Sequence, residues 1–276
     1  SSGPTNSIRG AGALSQVDNG IVIDVGGTTS DGGVLVNFFP RESTQAAQIG
    51  GVLTNFRMPD VVAVGIGGGT HVRFKKDKCQ LGPDSVGYKL KEKSISFGGN
   101  TITISDFSIT NNQLQIEGSL EKGVIKEQIQ AISGMKFSKA LELVQEQIQL
   151  SIEKLVDKLK TDSKEIPVIA CGGGAFLLPK KIAGASEVIF PEHMEVANAF
   201  GACIAQISSE KELVVNTMQN DEKLELEKLV LKAKGRLLKN GVLENSINVL
   251  SKESIPLAYL PGAVKLKVKL CGDLME

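Results

Sequence analysis

Two carboxylates, two glycines and three hydroxyls fall within Asp24-Val25-Gly26-Gly27-Thr28-Thr29-Ser30-Asp31. The apolar run Ile21-Val22-Ile23 precedes this segment and Val34 to Val36 follows it, so the order reads strand, tight turn, strand. Glycine lacks a Cβ, and a turn built on it lets backbone N–H groups approach an anion closely. Hydroxyls add donors, and a carboxylate at a strand end can hold Mg²⁺ through its water shell. Such a set suits the terminal phosphates of a nucleotide. The plainer reading is a hairpin with polar turn residues, but a hairpin needs neither both acids nor the Thr-Thr-Ser run.

Two further glycine clusters also follow apolar runs. Gly65-Ile66-Gly67-Gly68-Gly69-Thr70 comes after Val61-Val62-Ala63-Val64, and Gly172-Gly173-Gly174 comes after Val168-Ile169-Ala170. In α/β sheets ligands settle beyond the carboxyl ends of the strands, where such turns converge. Each cluster alone could be an ordinary turn, and Gly67–Gly69 has no charged group built into it; three in one chain point to a shared site. The two histidines, His71 and His193, read as surface or structural groups. Neither has the spacing of a zinc site, so a metal here would be Mg²⁺ or Mn²⁺ on oxygen ligands.

The elements that must position these turns alternate in kind. Strands are expected at Gly20–Val25, Gly33–Asn37 and Val61–Gly65, and less clearly at Gly50–Phe56. Alternation of Ile102, Ile104, Leu114 and Ile116 suggests exposed strands between Ser94 and Gly118. Between Lys136 and Lys160, Phe137, Leu141, Val144, Ile148, Ile152, Leu155 and Leu159 recur at intervals of three and four, which predicts an amphipathic helix. Pro167–Ala170 reads as a short buried strand, Val196–Ser208 and Glu222–Leu238 as helices, the last stopped at Asn240-Gly241. In the tail, Lys265, Lys267 and Lys269 alternate with apolar residues, as in an edge strand guarded by charge or an anion site. Lys75-Lys76-Asp77-Lys78 reads as a solvated turn. The whole pattern is α/β, a sheet covered by helices.

Composition narrows the function. The chain has 276 residues, 41% hydrophobic and 22% charged, which is ordinary for a globular protein of one large or two moderate domains. Lys plus Arg and Asp plus Glu are both 31, so no global field draws in nucleic acid or an acidic membrane. Aromatics are 4% with no Trp, which argues against base-stacking platforms. No apolar stretch approaches the roughly 20 residues that span a bilayer. The cysteines, Cys79, Cys171, Cys203 and Cys271, form no C-x-x-C pair and read as reduced thiols, and Ser1–Ser7 has no apolar leader core, so a cytoplasmic setting is expected.

Several ordered segments resemble the hydantoinase/oxoprolinase family, N-methylhydantoinase A type. They are Ser2-Gly3-Pro4-Thr5-Asn6-Ser7-Ile8-Arg9-Gly10-Ala11 running into Ile21–Leu35, then Gly65–Thr70, Gly82-Pro83-Asp84-Ser85-Val86-Gly87-Tyr88 and Phe97-Gly98-Gly99 leading to Ser105-Asp106. Gly172–Gly174 resembles the family's adenosine-side turn, Val196–Ala202 the small-residue helix after it, and Pro256–Gly262 the ending of one branch. The first loop also resembles the D-x-G-G-T-x-x-D phosphate loop of the sugar kinase, heat-shock ATPase and actin superfamily.

The resemblance implies a ribonuclease-H-like (actin/sugar-kinase-like) ATPase fold over 1–276. A mixed sheet would be flanked by helices, with an inserted β-rich subdomain at about 75–135 and a helix/strand extension at about 210–276. It implies the nucleotide-binding portion of an ATP-dependent cyclic-amide hydrolase, hydantoinase or 5-oxoprolinase, which opens a ring by phosphorylating its carbonyl and hydrolysing the product. Some members are ketone carboxylases. By the resemblance Asp24 would hold the Mg²⁺ shell or orient water, Gly26, Gly27, Thr28 and Thr29 would cradle phosphates, and Gly67, Gly68 and Gly69 would contact a second phosphate or the substrate. Gly172, Gly173 and Gly174 would run beside the nucleoside. Asp31 would be a second metal-shell or water-orienting carboxylate, or a turn acceptor.

The superfamily clamps ATP between two halves, each with a phosphate loop, and one such loop is present here. An N-terminal half or a companion subunit is therefore expected as partner, together with a small cyclic amide and assembly into a homo- or hetero-oligomer. Two other classes stay open: a small-molecule kinase of the superfamily, and a non-catalytic actin-like module.

Overall fold

A computed structural model describes residues 2–43, 48–49, 52–53, 58–76, 78–258 and 260–274. The expected strand Gly50–Phe56 lies outside these apart from Val52 and Leu53, and Asp77 and Tyr259 also lie outside. The chain divides into two units, Ser1–Cys203 and Ile204–Glu276.

The first unit runs α1 (Ser2–Ser15), β1 (Gly20–Val25), β2 (Ser30–Val36), β3 (Phe39–Pro40), β4 (Gln48–Ile49), β5 (Val52–Leu53), β6 (Val61–Val64), β7 (Thr70–Lys75) and β8 (Lys78–Ser85). It continues through α2 (Leu90–Lys93), α3 (Ile104–Thr110), α4 (Lys122–Ser133), α5 (Phe137–Leu159), β9 (Ile166–Cys171), β10 (Ala185–Ile189) and α6 (Ala197–Cys203). Among the described residues the main sheet has the order β10-β9-β1-β2-β3, with β6 also on β2. β1 runs parallel to β9 and antiparallel to β2, so the sheet is mixed.

Both faces of β1 are buried, which is why Ile21-Val22-Ile23 is continuously apolar. Ile21 and Ile23 pack with Val144, Ile152 and Leu155 of α5. Val22 packs with Ile8 and Ala11 of α1 and Ala197 of α6. Helix α5 matches the expected span almost to the residue, because its three-and-four spacing leaves Ala140, Val144, Ile148, Ile152 and Leu159 buried.

Three expectations are corrected. The stretch Ser94–Gly118 holds helix α3 instead of exposed strands: Thr103 and Asp106 form a capping box, and all residues of α3 are buried. The strand content near 75–135 is therefore the β7–β8 hairpin, and the elements after it are helical. The helix expected over Val196–Ser208 ends at Cys203, because Ile207 onward pairs as a strand.

The second unit holds β11 (Ile207–Asn216), α7 (Glu222–Lys239), β12 (Asn248–Pro256) and β13 (Ala263–Gly272), with strand order β11-β13-β12. Asp221 caps α7 through the N–H groups of Lys223 and Leu224. Leu229, Ala233 and Leu237 pack on Leu266, Val268 and Leu270. The third correction falls here: β13 is the central strand, so its lysines do not guard an edge. Lys267 pairs with Glu210 at 2.7 Å and Lys265 with Glu212 at 2.6 Å, so the ladder is matched by acids on β11.

Candidate functional site

The three glycine turns meet at one end of the main sheet. Asp24 stands opposite Asp31 across the β1–β2 ladder and opposite Cys171 on β9. Gly26 N–H donates to Thr29 O at 2.9 Å and closes the turn, while Gly27, Thr28 and Thr29 are exposed. The N–H groups of Gly27 and Thr28 form no hydrogen bond with described residues, and nothing lies within 4 Å of where a side chain would begin at Gly27. The turn is thus open on the side where a Gly27 side chain would stand, while Thr28 N lies against Gly67.

The second turn braces the first. Gly68 N–H donates to Gly26 O at 3.2 Å and Gly69 N–H to Gly27 O at 2.7 Å, while Gly67 N–H donates to Thr70 Oγ1 at 2.8 Å. A Cβ on Gly67 would stand 2.6 Å from Thr28 N, so glycine is required for the backbones to approach. All three N–H groups are thus satisfied inside the protein. Ser30 donates to Ile66 O at 2.6 Å from a fully buried position and fixes the same junction.

The third turn lies directly against Asp24. Gly172 has φ of +87°, and a Cβ there would come 2.2 Å from Asp24 Oδ1. Its N–H donates to Met194 O at 2.9 Å, and Gly174 N–H to Val25 O at 2.8 Å. Gly173 is exposed with open space around it. Beside this turn is a cavity of about 580 Å³ walled by Ile104, Val144, Ile148, Phe176, Phe190 and Met194. Met194 lines the cavity and also accepts from Gly172, so turn and cavity share a wall.

The electrostatics follow from the register. Burial pushes the Asp31 carboxyl up from its ordinary value, and the neighbouring Asp24 charge pushes the same way. Burial and then Asp24 raise the Cys171 thiol well above its usual range, which keeps it protonated and inert. No group of three or more His, Cys, Asp or Glu among the described residues could hold a metal. His71 contacts Arg73 on the β7–β8 hairpin, and His193 is exposed beside Glu192. Neither joins this cluster of turns.

Two residues near Asp24 were not singled out from the sequence. Ser7 Oγ donates to Asp24 Oδ2 at 2.5 Å, and Asn198 Nδ2 donates to Ser7 Oγ and to Gly3 O, both at 2.9 Å. They arrive on α1 and α6, which pack so tightly that a Cβ on Gly10 would stand 1.9 Å from Ala197 O and one on Gly201 1.9 Å from Asn6 O. The available signal was the small-residue spacing of Gly10, Ala11 and Gly12 and of Ala197, Ala199 and Gly201.

The family model for hydantoinase/oxoprolinase matches residues 1–211. The chain belongs to the hydantoinase/oxoprolinase family. No curated protein matches it. Among solved structures it is similar to ATP-dependent caprolactamase from Pseudomonas jessenii, with a TM-score of 0.74 at 17% identity over 98% of this chain and 49% of that one. It is likewise similar to nucleotide-free acetone carboxylase, with a TM-score of 0.67 at 18% identity over 99% of this chain and 49% of that one. This family member therefore has an actin-like α/β fold, with a mixed sheet flanked by helices, and spans about half the length of these two structures. No described helix is long and apolar enough to cross a membrane.

Proposed function

We propose that this chain is the nucleotide-binding portion of an ATP-dependent enzyme that opens cyclic amides, with an N-terminal half or companion subunit supplying the other side of the site. The observation that carries this reading is the meeting of three glycine turns around Asp24 and Asp31. The caprolactamase and the acetone carboxylase named above are both ATP-dependent, which supports this reading.

The residues fit the nucleotide. The Gly27 N–H, which no described residue bonds, and the exposed Thr28 and Thr29 suit phosphate oxygens. Gly67, Gly68 and Gly69 brace that loop, and Gly173 lets a nucleoside pass close by. The cavity's apolar walls suit a base, and an extended ligand crossing the ends of β1 and β9 would reach both it and the phosphate loop. Two carboxylates without a third ligand suit Mg²⁺ or Mn²⁺ that arrives with phosphates and keeps most of its waters.

A bound nucleotide supplies a phosphoryl group that turns a poor amide oxygen into a leaving group. This chain's share is alignment: loop donors fix the phosphates, and Asp24, held by Ser7, carries the metal's water shell or orients a water. Asp31 adds a second negative charge, which one divalent cation would offset.

The test is phosphate release by the complete protein, with its other half present, on adding hydantoin, N-methylhydantoin, 5-oxoproline or caprolactam to Mg-ATP. Amide-dependent release is expected. A stable phosphorylated product would indicate a kinase, and silence with every amide would sink the enzyme reading. This chain alone is expected to bind Mg-ATP weakly, and tight stoichiometric binding by calorimetry would overturn the half-site.

A further inference from the structure

The end of strand β8 and the turn after it, Gly82–Gly87, are bonded to the phosphate loop through the second glycine turn. Val86 N–H donates to Gly69 O at 2.9 Å, and Gly69 N–H donates in turn to Gly27 O at 2.7 Å. A Cβ on Gly69 would stand 2.9 Å from Ser85 Oγ and 3.0 Å from Gly27 O. Glycine at 69 therefore lets a serine from another strand come up to Gly27. Arg73 of β7 holds the same segment, pairing with Asp84 and donating to Gly82 O at 3.1 Å.

This arrangement leaves the Ser85 hydroxyl with a proton to give. Gly87, at φ of +55°, turns its N–H onto Ser85 Oγ at 3.1 Å, which orients the oxygen and uses one of its lone pairs. Among the described residues the hydroxyl proton meets one acceptor, Gly27 O at 3.5 Å. That is well beyond the roughly 2.5–3.0 Å of an O–H···O bond, and the same carbonyl already accepts from Gly69. Ser85 is half-buried, so its side chain is neither sealed inside nor loose in solvent. Turning the proton to a charged ligand oxygen would exchange a poor bond for a strong one.

We propose that Ser85 is a further phosphate-binding residue, donating its hydroxyl proton to the phosphate tail of the nucleotide from a strand outside the β1–β2 loop. The inference rests on the nucleotide reading above and adds a residue to it. A phosphate is the ligand because the contact falls at Gly27, whose own N–H no described residue bonds. One ligand group lying along that residue would meet the backbone donor and the serine together. The placement is fixed before any ligand arrives: Gly69 admits the side chain, Gly87 orients it and Arg73 anchors the segment. Each named residue of Gly82–Gly87 then has a task, from the Gly82 carbonyl and Asp84 that Arg73 grips to the serine that faces the loop.

Calorimetric titration of the complete protein with Mg-ATP, and with Mg-tripolyphosphate, which has the phosphates without the nucleoside, reads the contact. Ser85→Ala is expected to weaken both ligands by about tenfold and to keep Tm within about 2 °C of wild type. Ser85→Thr retains the hydroxyl and should bind both within about threefold of wild type. If Ser85→Ala binds both ligands as wild type does, the proposal fails while the nucleotide reading stands. Weakening of ATP alone would put Ser85 beside the nucleoside, which also overturns it. So would a lowered Tm with Ser85→Thr binding no better than Ser85→Ala, because the hydroxyl would then only brace its turn. A wild-type protein that binds neither ligand takes down the nucleotide reading and this contact with it.

Discussion

Ser7 Oγ lies 2.5 Å from Asp24 Oδ2 and donates to it, although one residue rides on a helix and the other ends a strand. The hydroxyl is itself held by Asn198 from a second helix. Glycine contacts between α1 and α6 leave neither helix free to shift, so the carboxylate is oriented by packing set far from the loop. A hydrogen bond to a charged group contributes about 1.5–3 kcal/mol. Ser7→Ala is therefore expected to lower amide-dependent ATP turnover by about tenfold, mainly in kcat, with Ser7→Thr recovering most of it. Steady-state kinetics of the two variants would check this, and a Ser7→Ala enzyme of wild-type kcat would remove Ser7 from the site.

Asp31 is expected to oppose folding at neutral pH. Its carboxyl is raised by burial and by Asp24, so the folded state holds this proton more tightly than the unfolded chain does. Stability from that proton is present at low pH and is lost as pH rises from the ordinary carboxylate value through the raised one. At neutral pH the ionised group is a net cost, moderated by its partial exposure. Asp31→Asn should raise Tm at pH 7 without divalent ions by roughly 1–3 °C, and the gain should vanish near pH 3. A fall in Tm at pH 7 would show that Asp31 is held by favourable contacts instead.

Neighbouring glycines should fail in different ways. A Cβ at Gly27 would meet nothing within 4 Å and its φ is not left-handed, so Gly27→Val should leave Tm within about 2 °C of wild type while crowding the loop's phosphate-facing side. Activity should drop by roughly 10²-fold. Gly172 has a left-handed φ and Asp24 and Val25 against it, so Gly172→Ala should cost about 3 kcal/mol or more and lower Tm by roughly 6–12 °C. Calorimetry of both variants separates a ligand-facing glycine from a structural one.

What could be read from the sequence followed the range of the interactions. The 137–159 helix repeats its apolar spacing over many turns, and the glycine turns carry their chemistry within a few residues. Thr103 and Asp106 nucleate α3 through a cap that the alternation of Ile102 and Ile104 concealed. Whether Lys265–Lys269 sat at an edge or in the centre depended on two strands elsewhere in the chain and on the glutamates of one of them. Ser7 and Asn198 are 191 residues apart, and only the packing of two helices brings them to Asp24. Their own neighbourhoods in the sequence show small residues but no partner.

Asp24 bears the sharpest expectation. Asp24→Asn keeps the shape and leaves an oxygen to accept from Ser7, but it removes the negative charge beside Gly172 and Asp31. With one like charge fewer next to Asp31, the fold should hold or gain Tm. On the proposed function the loop would lose its fixed anion for a metal's water shell or an attacking water, and losing such a positioned group typically costs about 2.7–4 kcal/mol, or 10²–10³ in rate. The complete enzyme should therefore fold normally and turn over at least about 10²-fold more slowly, with ATP affinity changed far less than kcat. Activity within about threefold of wild type, well below that loss, would mean that the chemistry is run from the other half and that these turns serve only to bind.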